Sequence, residues 1–341
     1  MKKTILITGG LGYIGSHAVV AFEQAGYKCI IVDNLSNSNI DTLSNIEKII
    51  SNKPDFFEVD LRDREKLEDI FKKYNFDGVI HFAGLKAVGE SCEKPLKYYD
   101  NNVVGSIRLF ECMQKYNVKN IIFSSSATVY DFDNEIPYVE TQNVGKTTNT
   151  YAQTKYLIEQ ILRDLSNFIG FNAISLRYFN PIGAHPSGFI GESPNGIPNN
   201  LLPYIMKVAK GELPYLKIFG NDYNTIDGTG VRDYIDVVDL IDGHLKAYEI
   251  LLETGLEKRQ VSDGLFDIYN LGAGKGVSVL EILKIAEKVV GKKIHFEINP
   301  RRNGDLGEFY CNPGKAKNEL GWETKTSLEE SLENSWRFYN K

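Results

Sequence analysis

Residues 4–15 read TILITGGLGYIG: a short apolar run, then glycines at 9, 12 and 15, with an amphipathic stretch behind them. A β-branched run bounded by glycine predicts a buried strand over Thr4–Thr8. The spaced glycines predict a tight turn into a helix. Residues without a Cβ let the backbone approach a pyrophosphate, and the free N–H groups of the helix N-terminus attract its charge. A second apolar run, Lys28–Val32, is followed by Asp33, eighteen residues beyond Gly15. A carboxylate there accepts hydrogen bonds from a ribose 2′-OH and repels a 2′-phosphate, which favours NAD over NADP. Gly9, Gly12, Gly15 and Asp33 are the first candidate cofactor residues.

The pattern continues outward. Short apolar runs at Asp55–Val59, Gly78–Phe82, Asn120–Ser124 and Asn172–Leu176 alternate with longer amphipathic stretches. Alternation of this kind predicts an α/β fold with a doubly wound parallel sheet covered on both faces. Two helices carry apolar stripes at three- and four-residue spacing. In Pro95–Tyr116 the stripe is Val103, Ile107 and Phe110; in Tyr151–Phe168 it is Leu157, Ile158, Ile161, Leu162, Leu165 and Phe168. The second stripe is broad enough to face both a core and another subunit. Asn34–Asn45 reads as a loop running into a short helix. After Arg177 the chain is rich in Gly, Pro and Asn up to Gly230, with one helix at Leu201–Lys210. A strand at Phe266–Leu271 and helices at Val279–Val290 and Leu328–Phe338 follow. The domain boundary is placed near residue 180, giving 1–180 and 181–341, with the segment around 232–275 returning to the first domain.

The chain has 341 residues, 39 Lys+Arg against 45 Asp+Glu, and 42% hydrophobic residues. That length supplies an ample core without metal or disulfide staples. A net charge of -6 offers no basic stripe for nucleic acid. No apolar run is long enough to span a membrane, and the one after MKK is too short for a signal peptide. Cysteines at 29, 92, 112 and 311 form no CxxC pair, and no HExxH is present. These features predict a cytoplasmic protein without a metal.

Candidate chemistry gathers around Tyr151 and Lys155, four apart at the start of a helix and so on one face. A free phenol, with pKa near 10, is a poor base at neutral pH. A neighbouring ammonium, or the positive ring of an oxidised nicotinamide, favours the phenolate. Ser126, in Phe123-Ser-Ser-Ser-Ala-Thr-Val-Tyr130, stands at the end of the fifth strand, where its hydroxyl bridges a substrate alcohol and the tyrosine. Ser, Tyr and Lys together suit proton removal from an alcohol as its hydride leaves for NAD. Asp60 ends the third strand, placed to accept from an adenine amino group. His81-Phe-Ala-Gly84 ends the fourth, where small residues let the backbone pass close to a cofactor.

Taken together these residues resemble the extended short-chain dehydrogenase/reductase family. Further motifs narrow the likeness to its UDP-galactose 4-epimerases. They are His81-Phe-Ala-Gly-Leu-Lys-Ala-Val-Gly-Glu-Ser91, Tyr98-Tyr-Asp-Asn-Asn102, Arg177-Tyr-Phe-Asn-Pro181, Gly183-Ala-His-Pro-Ser-Gly188, Gly196-Ile-Pro-Asn-Asn-Leu201, Ile218-Phe-Gly-Asn-Asp-Tyr223, Asp227-Gly-Thr-Gly-Val-Arg-Asp-Tyr234 and Arg301-Arg-Asn-Gly-Asp305. The likeness runs from Thr4 to Trp322. It implies a Rossmann NAD domain with a smaller mixed α/β domain for a UDP-sugar, and a homodimer paired through the helices near 95–116 and 151–168. By matching positions, Tyr13, Ile14, Asp33, Asn34, Leu35, Ser36, Asn37, Ser38, Asp60, Leu61, Phe82, Ala83, Gly84, Leu85, Lys86, Asn101, Ser124, Tyr151, Lys155 and Phe179 would meet NAD. Ser126, Tyr151, Asn180, Asn199, Asn200, Leu201, Lys217, Ile218, Phe219, Arg232, Arg302, Asp305 and Phe309 would meet the UDP-sugar, the arginines suiting a diphosphate. The implied reaction oxidises the sugar at C4 to a ketone, turns the sugar over, and returns the hydride to the other face.

The chain departs from the family pattern in three places. Asp131 follows Tyr130 where glycine is frequent, and Ala-Gln-Thr stands between Tyr151 and Lys155. In the family, the position four residues after the aspartate of the RRxGD motif limits room beside the sugar C2 substituent, and by the resemblance that position here is Phe309. A bulky ring there predicts preference for UDP-glucose and UDP-galactose over their N-acetyl forms. Other UDP-sugar 4-epimerases, acting on UDP-xylose, UDP-glucuronate or UDP-GlcNAc, are alternatives, as is a nucleotide-sugar dehydratase. A dehydratase usually carries an Asp-Glu pair after the catalytic Ser/Thr, whereas Ala127 and Thr128 follow Ser126. A redox-sensing binding module is a further rival, but such proteins commonly lose the tyrosine or lysine kept here.

Overall fold

Strands form where the β-branched runs lie. A computed structural model describes residues 2–194, 196, 198–257, 264–302 and 304–341. Ile197 and Asn303, which fall inside two of the quoted motifs, lie outside the described residues. The strands are β1 (Thr4–Thr8), β2 (Lys28–Asp33), β3 (Asp55–Glu58), β4 (Gly78–His81), β5 (Asn120–Ser124), β6 (Asn172–Tyr178), β7 (Asn180–Ile182), β8 (Leu216–Phe219), β9 (Val231–Asp236), β10 (Leu265–Leu271), β11 (Gly276–Ser278), β12 (Phe296–Asn299) and β13 (Glu308–Phe309). The helices are α1 (Tyr13–Gln24), α2 (Asp41–Ile50), α3 (Arg64–Lys73), α4 (Val88–Glu93), α5 (Pro95–Tyr98), α6 (Gly105–Lys115), α7 (Thr150–Ile169), α8 (Leu201–Lys210), α9 (Val237–Glu257), α10 (Val279–Val290), α11 (Gly314–Leu320) and α12 (Leu328–Tyr339).

Seven strands form one sheet in the order β10-β6-β5-β4-β1-β2-β3, with every neighbouring pair parallel. This is the doubly wound, Rossmann-like sheet that the alternation predicts. Ile5, Ile7 and Ile31 face one core, shared with Val19, Phe22, Leu240 and Tyr248 of α1 and α9. Leu6, Ile30 and Val79 face the other, with Leu67, Leu109 and Leu162 of α3, α6 and α7. Side chains alternate in direction along a strand, so burial on both faces explains the continuous apolar runs Ile5–Ile7, Cys29–Val32 and Val79–Ile80 inside these strands. The order reverses between β1 and β4, which opens a crevice at the carboxyl ends of the strands.

A second layer closes that crevice. β9 is flanked by antiparallel β11 and by parallel β13 and β7, and β12 pairs with β8. Ile205, Met206, Ile218, Ile282 and Leu332 pack α8, α10 and α12 into a smaller core. The chain passes between the layers several times. After β9, α9 packs on the first core, and β10 joins the large sheet beside β6.

Three features differ from the periodicity reading. The stretch expected as one helix over 95–116 is broken by a π-helical turn at Tyr99–Val104. That turn rotates Asn102 inward, where it is buried. Phe168, read as part of the apolar stripe, is 81% exposed, because the last turn of α7 meets the core through Leu165 and Ile169 and Phe168 lies on its other side. Residues 237–257, to which periodicity assigns no element, form the longest described helix. Gly243 lies inside it and breaks the pattern. A Cβ there would meet Leu271 at 2.8 Å and Trp322 at 3.2 Å, so the glycine permits close packing of α9.

Candidate active site

A cleft of about 960 Å³ runs along the carboxyl ends of the large sheet and under the second layer. One end is the glycine turn. Gly12 precedes α1 without any side-chain cap, so the helix begins with free N–H groups. Gly9 has φ +70°, and a Cβ on it would lie 2.8 Å from the Ala83 nitrogen. A Cβ on Gly15 would lie 2.1 Å from the Gly9 carbonyl oxygen. The turn is therefore an uncapped backbone cradle that side chains would fill, which fits a dinucleotide pyrophosphate. Tyr13 and Ile14 line the cleft beside it, and Tyr13 donates from its hydroxyl to the Gly183 carbonyl of the second layer at 2.8 Å.

Asp33 lines the cleft and also organises it. Its Oδ2 accepts from the Leu11 N–H at 3.1 Å, and its Oδ1 accepts from the Leu35 N–H and the Ser38 hydroxyl. Asn34, Ser36, Asn37 and Ser38 line the same end. Leu35 does not; it has φ +57° and packs against the first core. Asp60 and Leu61 follow β3 at the wall. The side-chain hydrogen bond from Arg62 holds the Asp60 carboxyl well below the usual range, and Asn34 donates to it at 2.9 Å.

The middle of the cleft holds Ser124, Ser126, Tyr151 and Lys155, with Phe82, Ala83, Gly84, Leu85, Lys86 and Asn101 across from them. Asn149 caps α7 by accepting from the Ala152 N–H at 2.8 Å, which sets Tyr151 in the first turn. Asn102 fixes the facing loop. Its Oδ1 accepts from the Leu85 N–H at 2.8 Å, and its Nδ2 donates to the Leu85 carbonyl and to the Thr154 hydroxyl, both at 3.0 Å. The Lys155 ammonium donates to the Ser124 carbonyl at 2.6 Å and lies 5.9 Å from the Tyr151 ring centroid. Burial lowers the Lys155 pKa to about 7, partly opposed by the Glu159 charge one turn on. Burial raises the Tyr151 pKa, while a hydrogen bond with Ser126 and the charge of Lys86 oppose the rise. The i+4 lysine thus reaches both the Tyr151 ring and the end of the fifth strand.

The far end is cationic and aromatic. Asn180, Asn199, Asn200, Leu201, Lys217, Ile218, Phe219, Arg232, Arg302, Asp305 and Phe309 all border it, with Phe179 between the two ends. Asn200 precedes α8, Phe219 ends β8, and Arg232 sits in β9. The Arg302 guanidinium lies 3.9 Å above the Phe219 ring, and Arg232 is 3.8 Å from the Asp305 carboxylate. Phe309 packs 4.9 Å from Tyr138 and 5.0 Å from Phe179, centroid to centroid. Asp131 is buried and accepts from the Lys146 N–H at 2.7 Å, which secures a loop away from the proton-carrying groups.

Sequence reasoning passed over several residues here. Asn102 stood in a quoted motif, but its role depends on the π-helical turn. Glu192, Tyr178 and Tyr234 also line the cleft. No local periodicity marks Glu192, which lies in a Gly/Pro-rich loop.

Residues 6–335 match the family model described as GDP-mannose 4,6 dehydratase. The UDP-glucose 4-epimerase of Bacillus subtilis (strain 168) is 53% identical over 336 residues, covering 98% of this chain and 96% of the relative. The chain belongs to the UDP-glucose 4-epimerase family. Solved structures agree along the whole length. A UDP-glucose-4-epimerase from Stenotrophomonas maltophila with bound NAD and formylated UDP-arabinopyranose has a TM-score of 0.93 at 41% identity, covering 99% of this chain and 98% of that one. A UDP-glucose 4-epimerase from Bifidobacterium longum in complex with NAD+ and UDP has a TM-score of 0.92 at 44% identity, with the same coverages. Membership in this epimerase family fits a cleft with a glycine cradle at one end and paired arginines at the other. Among the described residues no group of His, Cys, Asp and Glu could hold a metal, and no helix is long and apolar enough to cross a membrane.

Proposed function

We propose that the chain interconverts UDP-galactose and UDP-glucose through oxidation and re-reduction at sugar C4. One observation carries this reading: Tyr151, Lys155 and Ser126 lie in a single cleft between the uncapped glycine turn and the Arg232–Arg302 end. Gly9, Gly12, Gly15, Asp33 and Asp60 would hold NAD, which would supply the hydride acceptor and donor and a positive charge that favours the phenolate. Tyr151 takes the proton from the 4-OH and later returns it to O4. Ser126 orients that hydroxyl. Lys155 would bond the nicotinamide ribose, and Phe82–Lys86 would line the cofactor side of the cleft. Arg232 and Arg302 grip the diphosphate through their guanidinium forks. Phe219, Lys217 and the Asn199–Leu201 segment hold the nucleotide while the keto sugar turns over. The two cleft ends stay fixed, so the sugar alone moves, and the second layer keeps water out.

The domain division follows the same line. Residues 1–180, with the returning α9–β10 segment, serve NAD; most of 181–341 serves the UDP-sugar. Two copies pair through the outer faces of α5–α6 and α7, where Leu96 and Phe168 are large exposed apolar side chains. The protein works in the cytoplasm. Neither residue directly after Ser126 is a carboxylic acid for dehydration, since Ala127 and Thr128 stand there.

The test is to incubate purified protein with UDP-galactose and no added cofactor. UDP-glucose should form, and Tyr151→Phe should lower turnover by about 10²–10⁴-fold while UDP-sugar binding persists. Activity that needs stoichiometric NAD and releases NADH would make the protein a dehydrogenase, and an indifferent Tyr151→Phe would make it a binding module.

A further inference from the structure

One wall of the cleft is a stack of aromatic rings drawn from both layers. Phe309 of β13 and Phe179, next to Asn180, line the cleft with ring centroids 5.0 Å apart. Behind them lies Tyr138, which is 1% exposed and is not among the cleft-lining residues. Its ring centroid is 4.9 Å from Phe309, 6.3 Å from Phe179 and 5.1 Å from Tyr130. These rings share a buried cluster with Ala127, the neighbour of Ser126. The wall therefore stands beside the segment that orients the sugar hydroxyl. The Tyr138 backbone is stitched to the chain just after Phe309. Its N–H donates to the Tyr310 carbonyl at 3.0 Å, and its carbonyl accepts from the Asn312 N–H at 2.9 Å and from the Asn270 amide at 3.1 Å. The Tyr130 hydroxyl donates to Asn270 Oδ1 at 2.7 Å, which ties the next ring to the same amide.

We propose that Tyr138 is a positioning residue for substrate specificity: it fills the space behind Phe309 and so fixes how far that ring stands into the sugar pocket. Packed interiors hold few voids, so a ring withdraws only where the atoms behind it are removed. The β13–β9 register sets the Phe309 backbone opposite Arg232, and Phe179 flanks its ring. Tyr138 blocks the way back. A wall that cannot retreat turns a bulky ring into a hard limit on the C2 substituent, one that a hydroxyl meets and an N-acetyl group exceeds. The inference rests on the proposed epimerisation and on Phe309 as the wall beside C2, and it names the residue that makes that wall rigid.

The test compares kcat/KM for UDP-GlcNAc with kcat/KM for UDP-galactose, both read on one preparation of each holoenzyme, so that a loss of folded protein cancels from the ratio. Tyr138→Leu opens space behind Phe309 and should raise the ratio by about tenfold or more, the scale on which pocket volume discriminates. The gain should lie in UDP-GlcNAc, with UDP-galactose turnover largely kept. Tyr138→Phe retains the ring and should leave the ratio at the wild-type value. Phe309→Ala removes the wall itself and should raise the ratio at least as far. Adding Tyr138→Leu to Phe309→Ala should then change it no more, because Tyr138 acts only through Phe309. A role confined to stability would lower both constants together and leave the ratio in place. An unmoved ratio in Tyr138→Leu beside a raised one in Phe309→Ala would overturn the inference and spare the wall. Equal gains from Tyr138→Leu with and without Phe309 would also overturn it. A ratio unmoved by Phe309→Ala would place the wall elsewhere and remove both. Where Tyr138→Leu does not fold, Tyr138→Met, whose flexible chain fills irregular gaps, carries the same test.

Discussion

Arg177 and Glu159 form the most buried ion pair described, at 1% and 0% side-chain exposure. The pair is bidentate: Arg177 Nε donates to Oε1 at 3.0 Å and Nη2 to Oε2 at 2.6 Å. The Ser125 hydroxyl donates to the same Oε1 at 2.5 Å, and the guanidinium lies 4.7 Å from the Tyr130 ring centroid. Replacing Arg177 with Met leaves a buried carboxylate with one hydroxyl partner, which should cost about 3–5 kcal/mol. Glu159→Leu leaves a buried guanidinium and should cost as much. The double variant removes both charges and strands only the Ser125 hydroxyl, a cost of about 1–3 kcal/mol. It should be more stable than either single variant. Denaturant midpoints at constant m-value measure this directly. Losses that simply add in the double variant would show that the pair does not act as a unit. Ser125 lies between Ser124, whose carbonyl holds Lys155, and Ser126, so the single variants should also lose turnover.

Asp236 is 4% exposed, and burial raises its pKa to about 6 from 3.8. An acid whose folded pKa is raised binds extra protons when folded. Its cost is absent below about pH 4, grows between pH 4 and 6, and is complete above pH 6, at about 3 kcal/mol. Asp236→Asn should therefore stabilise the protein above pH 6 and give no gain below pH 4 in unfolding measured across pH; a gain constant with pH would refute the linkage. Gly15→Ala places a Cβ 2.1 Å from the Gly9 carbonyl oxygen, so the turn must open. NAD released from the denatured, purified variant should fall to a small fraction of the wild-type amount. UDP-GlcNAc should be a poor substrate, and Phe309→Ala should raise its turnover at a cost of no more than about 3–5 kcal/mol in stability, measured by melting. Equal turnover of the N-acetyl sugar by the unaltered protein would place the pocket wall elsewhere.

Local sequence determined the large sheet because its signals are local. A run such as Ile5–Ile7 has no exposed alternative, and the glycines that follow permit only a turn that side chains would block. Tyr151 and Lys155 were legible for the same reason, being four apart on one helix. Tertiary structure decided what required contact between distant segments. Gly243 weakened the pattern of α9, and only packing against Leu271 and Trp322 explains it. Asn102 reaches Leu85 and Thr154 because a π-helical turn rotates it, which a 3.6-residue period does not encode. Spacing placed Lys155 beside Tyr151 on one face of α7, but only the fold brings its ammonium to the Ser124 carbonyl of the large sheet. Electrostatics depends on distance in space and on burial, and neither is written in the separation of residues along the chain.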